Sequence, residues 1–125
     1  MRRLFSSAAL VILLVLTGCS VPGGSEEPTG LGKITTIDQL VDAAVDAGMV
    51  CNWEQTDKVK DAVASGVCSD TAVLMMFSDS AAAQQRADEI MGFSENALLV
   101  GENWVINSTI GAELQSVLGG ELVGG

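Results

Sequence analysis

Hydrophobic residues follow three different patterns along the chain. A short, unbroken apolar run covers 8–16, residues 20–33 have no apolar period, and from 36 onwards apolar residues recur with helical or strand periods. The chain is therefore predicted to consist of a leader (1–18), a flexible tether (19–35) and one folded domain (36–125).

Three segments of the domain have the period of amphipathic helices. The first begins at a capping box in which Thr36 is the N-cap, and Gly48 is placed to end it. The second is predicted over 80–91 and ends at Gly92. The third is predicted to begin at a cap on Ser108 and to end at a glycine pair. The inward stripe of the first helix consists of Ile37, Leu40, Val41, Ala44 and Val45. The inward stripe of the third helix consists of Ile110, Leu114, Val117 and Leu118.

The segments between the helices have strand character. The apolar run 71–77 is typical of a central strand, and Gly101 lies in a hairpin turn between two short strands. Residues 59–67 alternate as a strand does, although a short helix is an alternative there. The predicted strands are 49–54, 59–67, 71–77, 97–100, 104–107 and an edge strand at 122–123.

The order of these elements predicts the fold class. The succession α-β-β-β-α-β-β-α is typical of an α+β domain. We expect two layers, with a mostly antiparallel sheet of four to six strands and about three helices packed on a face.

Composition and charge narrow the function. Without the leader, the chain has four basic and sixteen acidic residues, a formal charge of −12. This charge argues against nucleic acid as a partner, because phosphate binding requires clustered Lys and Arg. The chain has no histidine, which excludes a Ser-His-Asp triad, a Cys-His pair and His-ligated zinc. No catalytic residue, cofactor or metal site is predicted.

The leader has the features of a secretory signal peptide. Arg2 and Arg3 precede an apolar run that is about half the roughly 20 residues that a spanning helix needs. The motif Leu16-Thr17-Gly18-Cys19 follows, and it resembles the lipobox of bacterial lipoproteins. The resemblance implies cleavage before Cys19 and diacylglycerol on its thiol. The alternative is an ordinary secreted protein with a chance cysteine.

A lipid on Cys19 would place the protein on the outer side of a cell membrane. Two or three acyl chains, at about 0.8 kcal/mol per buried CH₂, hold a protein firmly at a bilayer. The acidic domain is repelled by anionic headgroups, so we expect it to stand off the membrane that holds it.

Cys51 and Cys68 remain as a pair in an exported chain. Disulfides are the usual state of such pairs in oxidising compartments, so we predict a bond between them. A redox pair is the alternative, but the Cys-x-x-Cys spacing that is usual for one is absent.

Two tryptophans are candidates for a binding surface. Trp53 and Trp104, with Asn103 beside the second, would form a stacking platform for a sugar or peptide if they were exposed. The competing interpretation places both tryptophans in the core, which is the commoner role.

The pattern around these residues resembles small secreted or lipid-anchored actinobacterial proteins. It consists of the two cysteines around Asn52-Trp53, then the stretch 98–107, then a helix and a glycine pair. The resemblance covers about 36–124 and implies no activity. The leading hypothesis is a non-enzymatic, membrane-anchored binding module whose partner is a basic protein or envelope component. The alternative is a small envelope enzyme or accessory factor that uses Asp and Glu carboxylates.

Overall fold

A computed structural model describes residues 30–69 and 71–124. The predicted signal peptide, Cys19 and most of the predicted tether lie outside the described residues. The helices are α1 (Ile37–Asp46), α2 (Ser80–Met91) and α3 (Gly111–Leu118). The strands are β1 (Trp53–Gln55), β2 (Ala64–Cys68), β3 (Ala72–Met76), β4 (Leu98–Val100), β5 (Trp104–Asn107) and β6 (Glu121–Val123).

The described strands form one six-stranded sheet in the order β1-β2-β3-β5-β4-β6. All of its pairings are antiparallel. The apolar strand β3 is central, as its sequence predicts, and the β4–β5 hairpin turns through 101–103. The α+β class, the six strands, the three helices and their order are confirmed.

The sheet is covered on both faces because its central strands are apolar on both sides. In β3, Leu74 and Met76 belong to the core under α1 and α3, whereas Met75 belongs to a second core under α2. The inward face of α2 is small, with Ala83 and Ala87 fully or almost fully buried, so this helix lies close to β4 and β5. The helices are therefore divided between two faces, which makes three layers where two were expected.

Local structure agrees with the sequence at most helix ends. Thr36 forms the predicted capping box with Gln39, and Gly48 follows α1 with a φ of 112°, a conformation that favours glycine. Ser108 does not cap α3. Its hydroxyl accepts a hydrogen bond from the Ile110 amide in the turn before the helix, and the N-cap residue is Ile110.

Two predicted strands are shorter than their sequence pattern. In the first, regular pairing begins only at Trp53, because the residues before it lead from α1 to the sheet. In the second, 59–63 belong to a loop and the strand begins at Ala64. The alternating valines of the sequence therefore begin before the residues that pair in the sheet.

The packed domain includes residues from the end of the predicted tether. Ile34 is almost fully buried, and the Leu31 amide donates to the Leu118 carbonyl at the end of α3. Residues 30–34 therefore belong to the same packed unit as the helices and strands that follow them. In the part of the chain that the structure describes, every helix is too short or too polar to cross a bilayer.

Candidate functional site

The residues proposed as a stacking surface do not form one. Trp104 is 1% exposed and Asn103 is 3% exposed, and only Trp53, on the edge strand β1, is partly accessible. Both tryptophans contact the core under α1 and α3, so the competing interpretation as core residues describes them better.

Asn103 and Trp104 instead hold the N-terminal segment on the domain. The Asn103 side chain accepts from the Ile34 amide at 2.9 Å and donates to the Ile34 carbonyl at 2.9 Å and the Phe77 carbonyl at 3.1 Å. The Trp104 indole N–H donates to the Gly32 carbonyl at 2.8 Å. The Asn103 side chain thereby satisfies backbone groups of Ile34 and Phe77, two almost fully buried residues.

The disulfide between Cys51 and Cys68 is present, as predicted. Cys68 is fully buried at the end of β2, directly opposite Trp53 in the ladder, and Cys51 lies just before β1. The bond therefore fixes the edge strand β1 to the sheet. Cys68 is buried within the ladder and Cys51 is half-buried beside it, which is the arrangement of a structural bridge.

A groove on the α2 side of the sheet is the best candidate for a binding site. It has a volume of about 380 Å³, within the range of small-molecule sites. It forms where α2, packed mainly on β4 and β5, leaves part of β3 uncovered. We call it the basic groove, and its lining residues are Lys58, Val59, Lys60, Val73, Met75, Arg86, Ile90, Phe93 and Asn107.

The basic groove gathers three of the four basic residues that follow the leader. Lys58 and Lys60 come from the loop between β1 and β2, and Arg86 comes from α2. No acidic residue lines the groove, although the chain as a whole is strongly acidic. The lining of the groove is therefore basic on a domain whose net charge is negative.

Buried hydrogen bonds fix the loop that carries the two lysines. Ser65 is fully buried on β2, and its hydroxyl accepts from the Val59 amide at 3.2 Å. Its own amide donates to the Asp57 carboxylate at 3.0 Å, and its carbonyl accepts from the amides of Thr56 and Asp57. Because Ser65 is bonded through both its backbone and its side chain, the loop has a defined position over the sheet.

Arg86 joins α2 to the same loop. Its guanidinium lies 3.4 Å from Asp61 in the loop and 2.9 Å from Glu89 on its own helix. Its Nε–H is buried and has no acceptor among the described residues. The two carboxylates offset the charge of Arg86, whereas Lys58 and Lys60 form no ion pair with any residue in 30–69 or 71–124.

Asn107 adds an uncharged polar side chain to the groove, from the end of β5. Its side-chain oxygen accepts from the Asn96 side-chain amide at 3.1 Å and the Ser94 hydroxyl at 3.4 Å. These two hydrogen bonds hold the Asn107 side chain in place at the groove.

The described cavities do not bring carboxylates together. The groove has none in its lining, and each of the other three described cavities has one or none. In the described part of the chain, no three His, Cys, Asp or Glu residues are grouped closely enough to hold a metal ion. A reaction that needs two facing carboxylates has no candidate site among these cavities.

Comparisons with protein-family models, curated proteins and solved structures give no match.

Sequence reasoning did not identify the basic groove, because its members come from three distant segments. The available signal was the scarcity of basic residues. Because only four follow the leader, the close pair Lys58 and Lys60 is a more distinctive feature of the sequence than the two tryptophans are. Arg86 could not be added, because no local pattern indicates that it contacts the same loop.

Proposed function

We propose that this protein is a lipid-anchored extracytoplasmic lipoprotein whose domain is a non-enzymatic binding module of the cell envelope. The lipobox at Leu16-Thr17-Gly18-Cys19 and the short apolar leader support the anchor. The basic groove carries the binding role, since it combines an apolar floor with a few polar groups at defined positions.

Two different surfaces support two kinds of partner. The groove has the size and lining of a small-molecule site. The exposed carboxylates of α1, at Asp38, Asp42 and Asp46, suit a basic protein or a cationic envelope component. The groove is the stronger candidate, because helical spacing spreads the three carboxylates along one side of α1.

Replacing Cys19 by serine is expected to release the protein from the membrane. A serine oxygen cannot form the thioether, so the acyl chains that supply the affinity would be missing. Cell fractionation with an antibody to the domain measures the change from the membrane to the soluble or secreted fraction. Ser20→Ala, one position further on, is the matched control and should stay membrane-bound. Unchanged membrane retention of the Cys19→Ser protein would refute the lipid anchor.

The binding role is tested by adding fractionated envelope extract to isotope-labelled domain and following its backbone amide signals by NMR. We expect shifts clustered at 58–60, Arg86 and Asn107. Shifts clustered on α1 would favour the basic partner instead. If neither a small-molecule fraction nor a protein fraction shifts any signal, the binding module is not supported.

A further inference from the structure

We propose that the basic groove binds a small amphipathic anion, a carboxylate on a short apolar chain that is free in solution. This inference rests on the proposed binding function and names its ligand class. It follows from the distribution of charge and apolar surface within the groove, and from its position relative to the point where the chain enters the domain.

The polar part of the groove suits an anion. Lys58 and Lys60 extend from a loop that Ser65 holds in place, and neither lysine has an ion-pair partner among the described residues. The Asn107 side chain adds an uncharged polar group to the lining. A carboxylate accepts hydrogen bonds only, so it matches a lining that offers ammonium donors and no carboxylate.

The floor of the groove suits a short apolar chain. On the α2 face of β3, Val73 is half-buried and Met75 is buried, and Ile90 borders them from α2. Phe93 follows the helix and is 76% exposed, an unusual exposure for a large aromatic side chain. An apolar ligand that covered Phe93 would remove its ring from water, which favours binding.

The acidic surroundings make the groove selective. Anions are repelled by most of the surface of a domain with this charge, so they accumulate where the lysines lie. A cationic ligand would be repelled by the lysines of the groove and attracted to the acidic parts of the domain surface. The charge pattern therefore favours an anion in the groove over a basic peptide.

The position of the groove favours a free ligand over a membrane lipid. Residues 30–34 pack on the side of α1 and α3, where Leu31 bonds to the end of α3. The groove lies on the opposite face of the sheet, beside α2. The chain therefore joins the domain on the face away from the groove, which leaves the groove open to a ligand from solution.

Octanoate is a suitable probe, because it combines a carboxylate with a short apolar chain. The domain from Ser20 to the C-terminus contains the whole packed unit described above, and it lacks acyl chains that would compete. NMR titration should shift the amides of 58–60, 86 and 107 in a saturable manner. Octanol has the chain alone and acetate has the head group alone, so each lacks one of the two interactions. Each should bind at least about 10-fold more weakly, which corresponds to about 1.4 kcal/mol.

Three variants separate specific binding from general attraction. Replacing Lys58 and Lys60 together by glutamine should weaken octanoate binding about 10-fold, at roughly threefold for each cation. Phe93→Ala should weaken octanoate about threefold and leave acetate unchanged. Lys33→Gln is the charge control, since it removes the only basic residue outside the groove that follows the leader, and it should alter affinity less than twofold.

Each other outcome would overturn the proposal. If Lys33→Gln weakens binding per charge as much as the groove variants do, the attraction is general and the groove is not the site. If octanol binds as well as octanoate, the lysines do not select the ligand. If vesicles containing phosphatidylglycerol shift the groove signals and octanoate does not, the groove contacts a membrane. If octanoate fails while envelope extract shifts the groove, the binding module stands and only this ligand class is wrong.

Discussion

Replacing Asn103 by alanine is expected to lower the free energy of unfolding by about 3 kcal/mol, at roughly 1 kcal/mol for each of its three hydrogen bonds. The effect is large because the substitution leaves the buried amide and carbonyl of Ile34 and the carbonyl of Phe77 without this partner. No local contact can replace these bonds, since Ile34 and Asn103 are 69 positions apart.

Urea unfolding followed by circular dichroism measures the loss, with Asn52→Ala as the control. Asn52 also precedes a tryptophan, but it is exposed, so its replacement should change stability by no more than about 0.5 kcal/mol. Amide hydrogen exchange gives a second readout, because Leu31 and Ile34 should lose protection first in the Asn103→Ala protein. If the two asparagine variants are equally stable, Asn103 does not hold the N-terminal segment.

Removing the disulfide by replacing Cys51 and Cys68 with alanine should lower stability by about 3 kcal/mol. The chain-entropy model gives this value for a loop of this length, since the two cysteines are 17 residues apart. The structure adds a location to the effect. Cys68 lies opposite Trp53 in the ladder, so the amides of β1 should exchange faster even under conditions where the remaining sheet stays protected.

Reduction of the unaltered protein is the matched comparison for the double variant. Dithiothreitol should shift the urea midpoint of the wild-type protein towards that of the double alanine variant, and it should leave the variant itself unchanged. A reduced wild-type protein that unfolds at the oxidised midpoint would show that the bond adds no stability.

The sequence predicted the parts of this fold that depend on local chemistry. The capping box at Thr36, the glycine after α1 and the bounds of α2 were all predicted, because hydrogen-bonding side chains and backbone conformations act over a few residues. The hairpin at Gly101 was predicted for the same reason. The apolar strand β3 was identified as central because both of its faces are hydrophobic.

The layering was not predicted, because a helix sequence does not specify which face of a sheet it covers. The face of α2 is decided by whether Met75 or Leu74 lies beneath it, and that depends on the register of the whole sheet. The role of Asn103 was also missed. The sequence does not distinguish a buried asparagine from an exposed one. The partner of Asn103, Ile34, also lies in a segment that composition assigns to the tether.

The basic groove depends on contacts at still longer range. Its lysines are positioned by Ser65, which reads in the sequence as an ordinary small residue of an alternating strand. Its floor includes part of β3 because α2 lies mainly over β4 and β5. Neither fact has a signal in the local pattern.

The two edge strands have a consequence for crowding on the cell surface. Molecules anchored in one membrane meet at high local concentration, and exposed sheet edges then tend to pair into larger aggregates. Here both edges, β1 and β6, are only three residues long, and each carries an exposed glutamate, Glu54 on one and Glu121 on the other. Two copies brought edge to edge would gain few backbone hydrogen bonds and would place like charges together. If the protein is anchored as we propose, these short, charged edges allow dense display without aggregation.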